Sequence, residues 1–256
     1  MSVDGGAPVL RLDGVVRRFG GIVAVDSVSF ELAPEERVAV IGPNGAGKTT
    51  LFRVIAGEMP PSAGRIELLG RDVTNVPAYR RARLGLARTF QVSNLFLGLT
   101  VSENVRLAHQ ARERDQWRFW RPIAARDAGT QGTAEALERA GLAGRARDRV
   151  ADLSHGEQRQ LEVAMALASR PRLLLLDEPA AGLSTHERSR LRALLEELPR
   201  SLPLLLIEHD MGLALGLADR VLCLHNGRPI ALGRPAEVRA DEAVQAVYLG
   251  RAAARA

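Results

Sequence analysis

The stretch Gly42-Pro43-Asn44-Gly45-Ala46-Gly47-Lys48-Thr49-Thr50 brings together the residue types that hold a phosphate, at the spacing a phosphate requires. Glycines let successive backbone N–H groups turn inward with no Cβ in the way. Lys48 then stands where an ammonium reaches β- and γ-phosphates, and Thr49 offers a hydroxyl to Mg2+. The same pattern also occurs as a Gly-rich turn that binds nothing. Against that reading, Lys48 is the only lysine among 35 basic residues. A chain that uses arginine everywhere else has kept a slim point charge at the one position where a planar guanidinium does not fit.

Two further clusters carry chemistry. Residues 173–176 are four leucines, the pattern of a strand buried on both faces, and they run into Asp177-Glu178-Pro179. Adjacent carboxylates at the C-terminal end of a parallel strand are costly unless a cation or a reacting water uses them. Asp177 is suited to hold Mg2+, directly or through water, and Glu178 to polarise the water that attacks a γ-phosphate. Residues 204–207 form a second buried strand ending in Glu208-His209-Asp210. A lone histidine after a strand is ordinarily a solvated turn residue, but this one is expected at the same sheet edge as Asp177 and Glu178. Gln91 ends a short strand over 87–91 and alone reads as an exposed polar residue. In Leu153-Ser154-His155-Gly156-Glu157-Gln158, Ser154 suits a helix N-cap, and Glu157 follows at capping-box spacing. That spacing by itself predicts a capped helix, running to about Ser169, and nothing more.

The elements that must position these groups follow from periodicity. Residues 38–41 are apolar and mostly β-branched, a buried strand before the glycine loop. Residues 51–56 continue at helical spacing after it, so a helix N-terminus adds its dipole to the phosphate site. Residues 9–17 and 27–32 alternate as half-buried strands around Gly20-Gly21, with Phe19 placed either to stack on an adenine ring or to pack the hairpin. A loop over 60–64, a strand over 65–69 and an Arg-faced helix over 77–84 come next. Helices are expected over 101–112, 133–140 and 185–198. Between the first two lies an Arg-rich insertion, 112–132, that bears Trp117 and Trp120 and reads as a flap or docking surface. Residues 220–225 and 229–232 form a hairpin around Asn226-Gly227, and a helical tail ends near Tyr248-Leu249-Gly250.

Composition sets the bounds. The 256 residues are 46% hydrophobic and 25% charged, ordinary for a soluble globular protein. Aromatics at 4% argue against recognition by base stacking. The net charge of +5 permits an anionic partner but carries little weight in so Arg-biased a chain. Cys223, the single cysteine, sits in an apolar run and reads as a core residue in a reducing compartment. The five histidines and one cysteine show no zinc-ligand spacing. No signal peptide is evident, and no apolar run approaches the ~20 residues of a membrane helix. The chain is therefore expected in the cytosol or on a membrane through partners.

Taken in order, the glycine loop, Gln91, Leu153 to Gln158, Asp177-Glu178-Pro179 and His209 resemble the motif set of ATP-binding cassette ATPases over nearly the whole chain. The resemblance implies an α/β P-loop fold: a mainly parallel core sheet, an N-terminal antiparallel β subdomain and an α-helical signature subdomain. It implies a single ATPase domain over 9–250, with the helical subdomain at about 92–165 and disordered tails at 1–8 and 251–256. ATP and Mg2+ are the implied cofactors. Gly42, Pro43, Asn44, Gly45, Ala46, Gly47, Lys48, Thr49 and Thr50 would hold the phosphates, and Phe19 would stack on adenine. Glu178 would be the base, Gln91 would contact Mg2+ and the attacking water, and His209 would hold the γ-phosphate. Thr49, Gln91 and Asp177 would hold the metal. Ser154, His155, Gly156, Glu157 and Gln158 would face the nucleotide of a second cassette across a head-to-tail dimer.

Arg88-Thr89-Phe90-Gln91, Ile207-Glu208-His209-Asp210-Met211 and Tyr248-Leu249-Gly250 look like the branched-chain amino-acid importer subgroup. That implies an ATP-hydrolysing importer subunit for branched-chain amino acids or a related small polar solute. The implied partners are a second ATPase subunit, two membrane permeases and, indirectly, an extracytoplasmic solute-binding protein, with no nucleic acid, at the cytoplasmic face of the inner or plasma membrane. The alternative is an export-type or non-transport cassette. Two positions depart from the usual pattern: His155 stands where the signature has glycine, and Ser184 where aspartate is usual.

Overall fold

The computed structural model describes residues 6–89, 95–110 and 127–253. Gln91 and residues 112–126 of the tryptophan-bearing insertion, both singled out from the sequence, lie outside the described residues. The chain divides into two compact units, the first formed by residues 1–86, 172–178 and 199–256, the second by 87–171 and 179–198.

The first unit holds two sheets. Strands β1 (Leu10–Phe19) and β2 (Ile22–Leu32) form an antiparallel hairpin whose turn is Gly20-Gly21, with Phe19 paired to Ile22. Strand β3 (Arg37–Ile41) leads into the glycine loop, and helix α1 (Lys48–Ala56) leaves it. Strands β4 (Ala63–Leu68) and β5 (Arg71–Asp72) complete an antiparallel sheet in the order β2-β1-β4-β5. Helix α2 (Ala78–Leu84) and strand β6 (Leu86–Arg88) follow.

Later in the chain come β7 (Leu173–Asp177), β8 (Leu204–Ile207), β9 (Arg220–His225) and β10 (Arg228–Gly233). They join β3 and β6 in a six-stranded sheet of order β10-β9-β3-β8-β7-β6. Pairings β9-β3, β3-β8 and β8-β7 are parallel, and β10 is antiparallel to β9. Every residue of β3, β7 and β8 is buried, which is why these strands read as continuous apolar runs rather than alternations. Val38, Val40, Leu173, Leu175, Leu205 and Ile207 pack with Leu51, Phe52 and Ile55 of α1 and with the inner face of the antiparallel sheet in one core. Cys223 is fully buried in β9, where desolvation pushes its thiol up to about 11, the behaviour of an inert core residue.

The C-terminus of α1 has an unusual partner. Gly57, at φ 78, ends the helix, and its N–H returns to Arg53 O and Val54 O. Arg81, only 1% exposed, then donates to the carbonyls of Val54 and Ile55 at the helix end and to those of Val73, Thr74 and Val76. A cation at a helix C-terminus complements the dipole, and burial lowers this guanidinium to about 10 without neutralising it near pH 7.

The second unit is helical. Helices α3 (Val101–Gln110), α4 (Asp127–Arg139) and α5 (His155–Ala168) pack against one another, and α6 (Thr185–Glu196) packs on α5. Asn104, fully buried on α3, bonds both the N–H and the C=O of Phe96 and the carbonyl of Thr100. It thereby holds a turn whose tip exposes Phe96 and Leu97. Of the helices expected, that over 133–140 begins earlier, at Asp127. Helix α7 (Met211–Leu217), back in the first unit, is absent from the sequence reading. With two glycines in seven residues its pattern is weak; Asp210, whose side chain accepts from Leu213 N, starts it. Two short helices close the chain, α8 (Pro235–Ala240) and α9 (Glu242–Ala253), the last running past Gly250, where the sequence places its end.

Candidate functional site

Register brings the chemical residues of the first unit to one edge. Val40 of β3 and Asp177 of β7 both pair with Ile207 of β8, so the three strands end together. Gly42, Glu178 and His209 therefore emerge side by side at the C-terminal edge of a parallel sheet, where α/β folds bind ligands. Glu178 N–H donates to Ile207 O at 3.0 Å, fastening two of these strand ends together.

The glycine loop is shaped by segments far away in sequence. Gly42 has φ 145, and a Cβ on it would stand 2.2 Å from Leu224 O of β9. Gly47 has φ 98, and a Cβ there would stand 2.2 Å from Ala24 O of β2. Backbone oxygens cannot move aside, so only glycine fits either position. The Asn226-Gly227 turn braces the loop as well: Gly227 N–H donates to Ala46 O at 3.0 Å, and Asp26 N–H donates to Gly227 O at 2.8 Å. Arg228 holds the Asp26 carboxylate at 2.7 Å, which keeps that carboxyl below its ordinary value. At the crest Asn44 and Gly45 are exposed, with Pro43, Thr49 and Thr50 half-buried behind them and Ala46 buried. Lys48, 6% exposed, extends its ammonium over the loop and donates to Gly42 O at 2.7 Å and Pro43 O at 3.0 Å. Gly47 precedes α1 with no side-chain cap and no acid in the first turn, so the positive end of this helix faces the loop.

Asp177 is 1% exposed at the end of β7, and Glu178 follows with φ 48, a left-handed conformation rare for a side chain of this kind. Five other described non-glycine residues share this conformation, so it is the place of Glu178 beside Asp177 at the sheet edge that makes it a candidate. Thr49 and Asp177 offer hydroxyl and carboxylate oxygens, the hard donors Mg2+ prefers. Among the described residues no cluster of three or more His, Cys, Asp or Glu forms a metal cage. That donor set fits an ion completed by substrate phosphates rather than by protein alone.

His209 is presented by its neighbours. Glu208, fully buried, accepts the N–H groups of His209 at 3.0 Å and Asp210 at 3.2 Å, and Asp210 caps α7. The His209 side chain, 57% exposed, is thus turned outward on a fixed turn. Phe19 is 43% exposed at the β1–β2 turn, with the Arg17 guanidinium 4.7 Å over its ring.

In the second unit, Ser154 caps α5: its hydroxyl accepts from Glu157 N–H, and Glu157 Oε2 accepts from Ser154 N–H at 2.8 Å. Arg145 clamps the other Glu157 oxygen at 3.0 Å, and Gln158 donates to Leu153 O at 3.3 Å. The acid and the amide of this motif therefore shape the helix start. The Gly156 N–H donates at 3.0 Å to Glu187 of α6, and the exposed His155 ring lies against Gly182. Sequence reasoning named Glu208 and Gly227 without giving them a part in the site, and it missed Glu187 and Ala24.

Residues 25–181 match the family described as ABC transporter, and residues 228–254 match that described as branched-chain amino acid ATP-binding cassette transporter. The chain is 41% identical over 252 residues to the high-affinity branched-chain amino acid transport ATP-binding protein LivG of Salmonella typhimurium, covering 96% of this chain and 99% of that one. To BraF of Pseudomonas aeruginosa, which carries the same description, it is 37% identical over the same shares. Among solved structures, the ADP conformation of an ATP-binding cassette of an ABC transporter superposes with TM-score 0.84 at 28% identity, covering 96% of this chain and all of that one. A nucleotide-free cassette gives 0.83 at 27% identity, over 94% and 99% of the two chains.

Proposed function

The chain belongs to the ABC transporter family, and from that premise we propose that it is the ATP-hydrolysing subunit of an importer for branched-chain amino acids. The observation that carries the reading is likeness to LivG along the whole length, with the subgroup's own C-terminal match at 228–254. Its substrate is ATP, and we assign the work as follows. The loop N–H groups and Lys48 bind and orient the β- and γ-phosphates. Glu178 takes the proton of the attacking water. His209 contacts the γ-phosphate, Gln91 orients the water, and Phe19 stacks on the base.

Thr49, Gln91 and Asp177 would hold Mg2+, which neutralises charge on the transferring phosphoryl group when bound. Residues 154–158 complete the phosphate's ligands on a second cassette, because a helix start with a Ser hydroxyl and a Gly N–H is an anion site. No described helix is long and apolar enough to cross a membrane. Membrane attachment is therefore assigned to two permease subunits that dock on the helical unit, where Phe96 and Leu97 are held exposed. An extracytoplasmic solute-binding protein delivers the substrate to those permeases.

The test is ATP hydrolysis by wild type and Glu178→Gln, with size-exclusion in ATP and Mg2+. Lost turnover and an ATP-trapped dimer are expected in the variant. Equal hydrolysis by both proteins would remove Glu178 as the base. Leucine uptake by vesicles holding the cassette with the permeases of its own transcription unit tests the substrate, and uptake of another solute alone would refute it.

A further inference from the structure

The carboxylate of Glu187 serves two helix N-termini at once. Through Oε2 it accepts the N–H of Ser184 at 3.0 Å and the Ser184 hydroxyl at 2.7 Å, closing the capping box of its own helix, α6. Through Oε1 it accepts the N–H of Gly156, in the first turn of α5, at 3.0 Å. A capping box needs no such second contact. Gly156 is what permits it, since a Cβ there would stand 2.6 Å from that oxygen. The Ser184 bonds, then the Gly156 bond, then the nearby His155 ring hold the Glu187 carboxyl below its ordinary value. Ser184 and His155, the two departures from the usual motif pattern, are thus both neighbours of this carboxylate.

An amide N–H has one hydrogen to donate, and two anions drawn to it repel each other. We propose that Glu187 is an internal stand-in for the γ-phosphate, occupying the Gly156 amide in the unassembled cassette and setting the ATP concentration at which two cassettes close. The inference rests on the reading of residues 154–158 as a phosphate site acting across the dimer. Closure displaces Oε1 from Gly156, while Oε2 keeps Ser184 and with it the cap of α6. After hydrolysis and phosphate release the carboxylate returns to the amide and favours reopening.

Glu187→Gln tests this, because glutamine also serves in a capping box but carries no charge. In a Glu178→Gln background, dimer formation is followed by size-exclusion over graded ATP with Mg2+. The half-point is expected at about ten-fold lower ATP with Glu187→Gln than without it, the scale of relieving one charge repulsion at a partly solvated contact. In the 1H–15N spectrum of the monomer, the Gly156 resonance is expected to move upfield as its carboxylate acceptor is lost. An unchanged or higher half-point overturns the inference and leaves the dimer reading standing, and an unmoved Gly156 resonance overturns it without reference to any dimer. If Glu178→Gln forms no dimer at saturating ATP, with or without the second change, the dimer reading fails and takes the inference with it.

Discussion

Two helix starts in this molecule are built in opposite ways. Helix α1 begins at Gly47 with no side-chain cap and no acid in its first turn. Helix α5 begins with Ser154 and Glu157 in a reciprocal capping box, and a second carboxylate, Glu187, sits on Gly156. The first start is shaped by backbone: Ala24 O and Leu224 O crowd the loop so closely that no side chain can replace glycine at 42 or 47. The second is shaped by side chains, which can rotate. A rigid, uncapped start suits a group that must hold its phosphates in one geometry throughout a cycle. A start held by displaceable side chains suits one that must engage and let go.

The largest expected effect tests the rigid side. Gly47→Ala puts a methyl against a carbonyl oxygen and forces a left-handed φ, a cost of about 3 kcal/mol or more. ATP binding by calorimetry is expected to vanish and the melting temperature to fall. Near-normal binding would mean the loop is not backbone-locked. Glu178→Gln comes next, with turnover reduced at least ~100-fold and melting unchanged. A parallel drop in melting temperature would make Glu178 structural.

On the yielding side, the three atoms nearest a Cβ on Gly156 all belong to the Glu187 side chain, which must leave its capping box to make room, so Gly156→Ala is expected to cost about 1 kcal/mol, the scale of one lost cap. If thermal melts put it level with Gly47→Ala, the contrast between the two starts fails. The smallest effect is in pH. Because the folded state holds the Glu187 carboxyl below its ordinary 4.5, its contribution is complete above that value and is lost as pH falls beneath it. Melting curves taken from pH 6 downward should therefore fall more steeply for wild type than for Glu187→Gln, the two converging in acid.

Local sequence was enough to single out the candidate groups that the fold gathers at the edge of the parallel sheet. Lys48, Asp177, Glu178 and His209 each stand at the end of an apolar strand or the start of a helix, and apolar runs are legible without knowing their neighbours. That these strands lie parallel and covered on both faces was suggested by the same pattern, but the register that aligns their ends came only from the fold. Helix α7 escaped because glycine-rich periodicity is faint. The braces escaped because a carbonyl such as Ala24 O has no sequence signature.

The sequence by itself determined which side chains can do chemistry and which family motifs they spell, because those depend on residue type and short spacing. Only the tertiary structure decided which glycines are obligatory and which anion claims the Gly156 amide. Those depend on atoms brought close from Ala24, Leu224 and Glu187, and spatial proximity across tens of residues leaves no periodic trace in the chain.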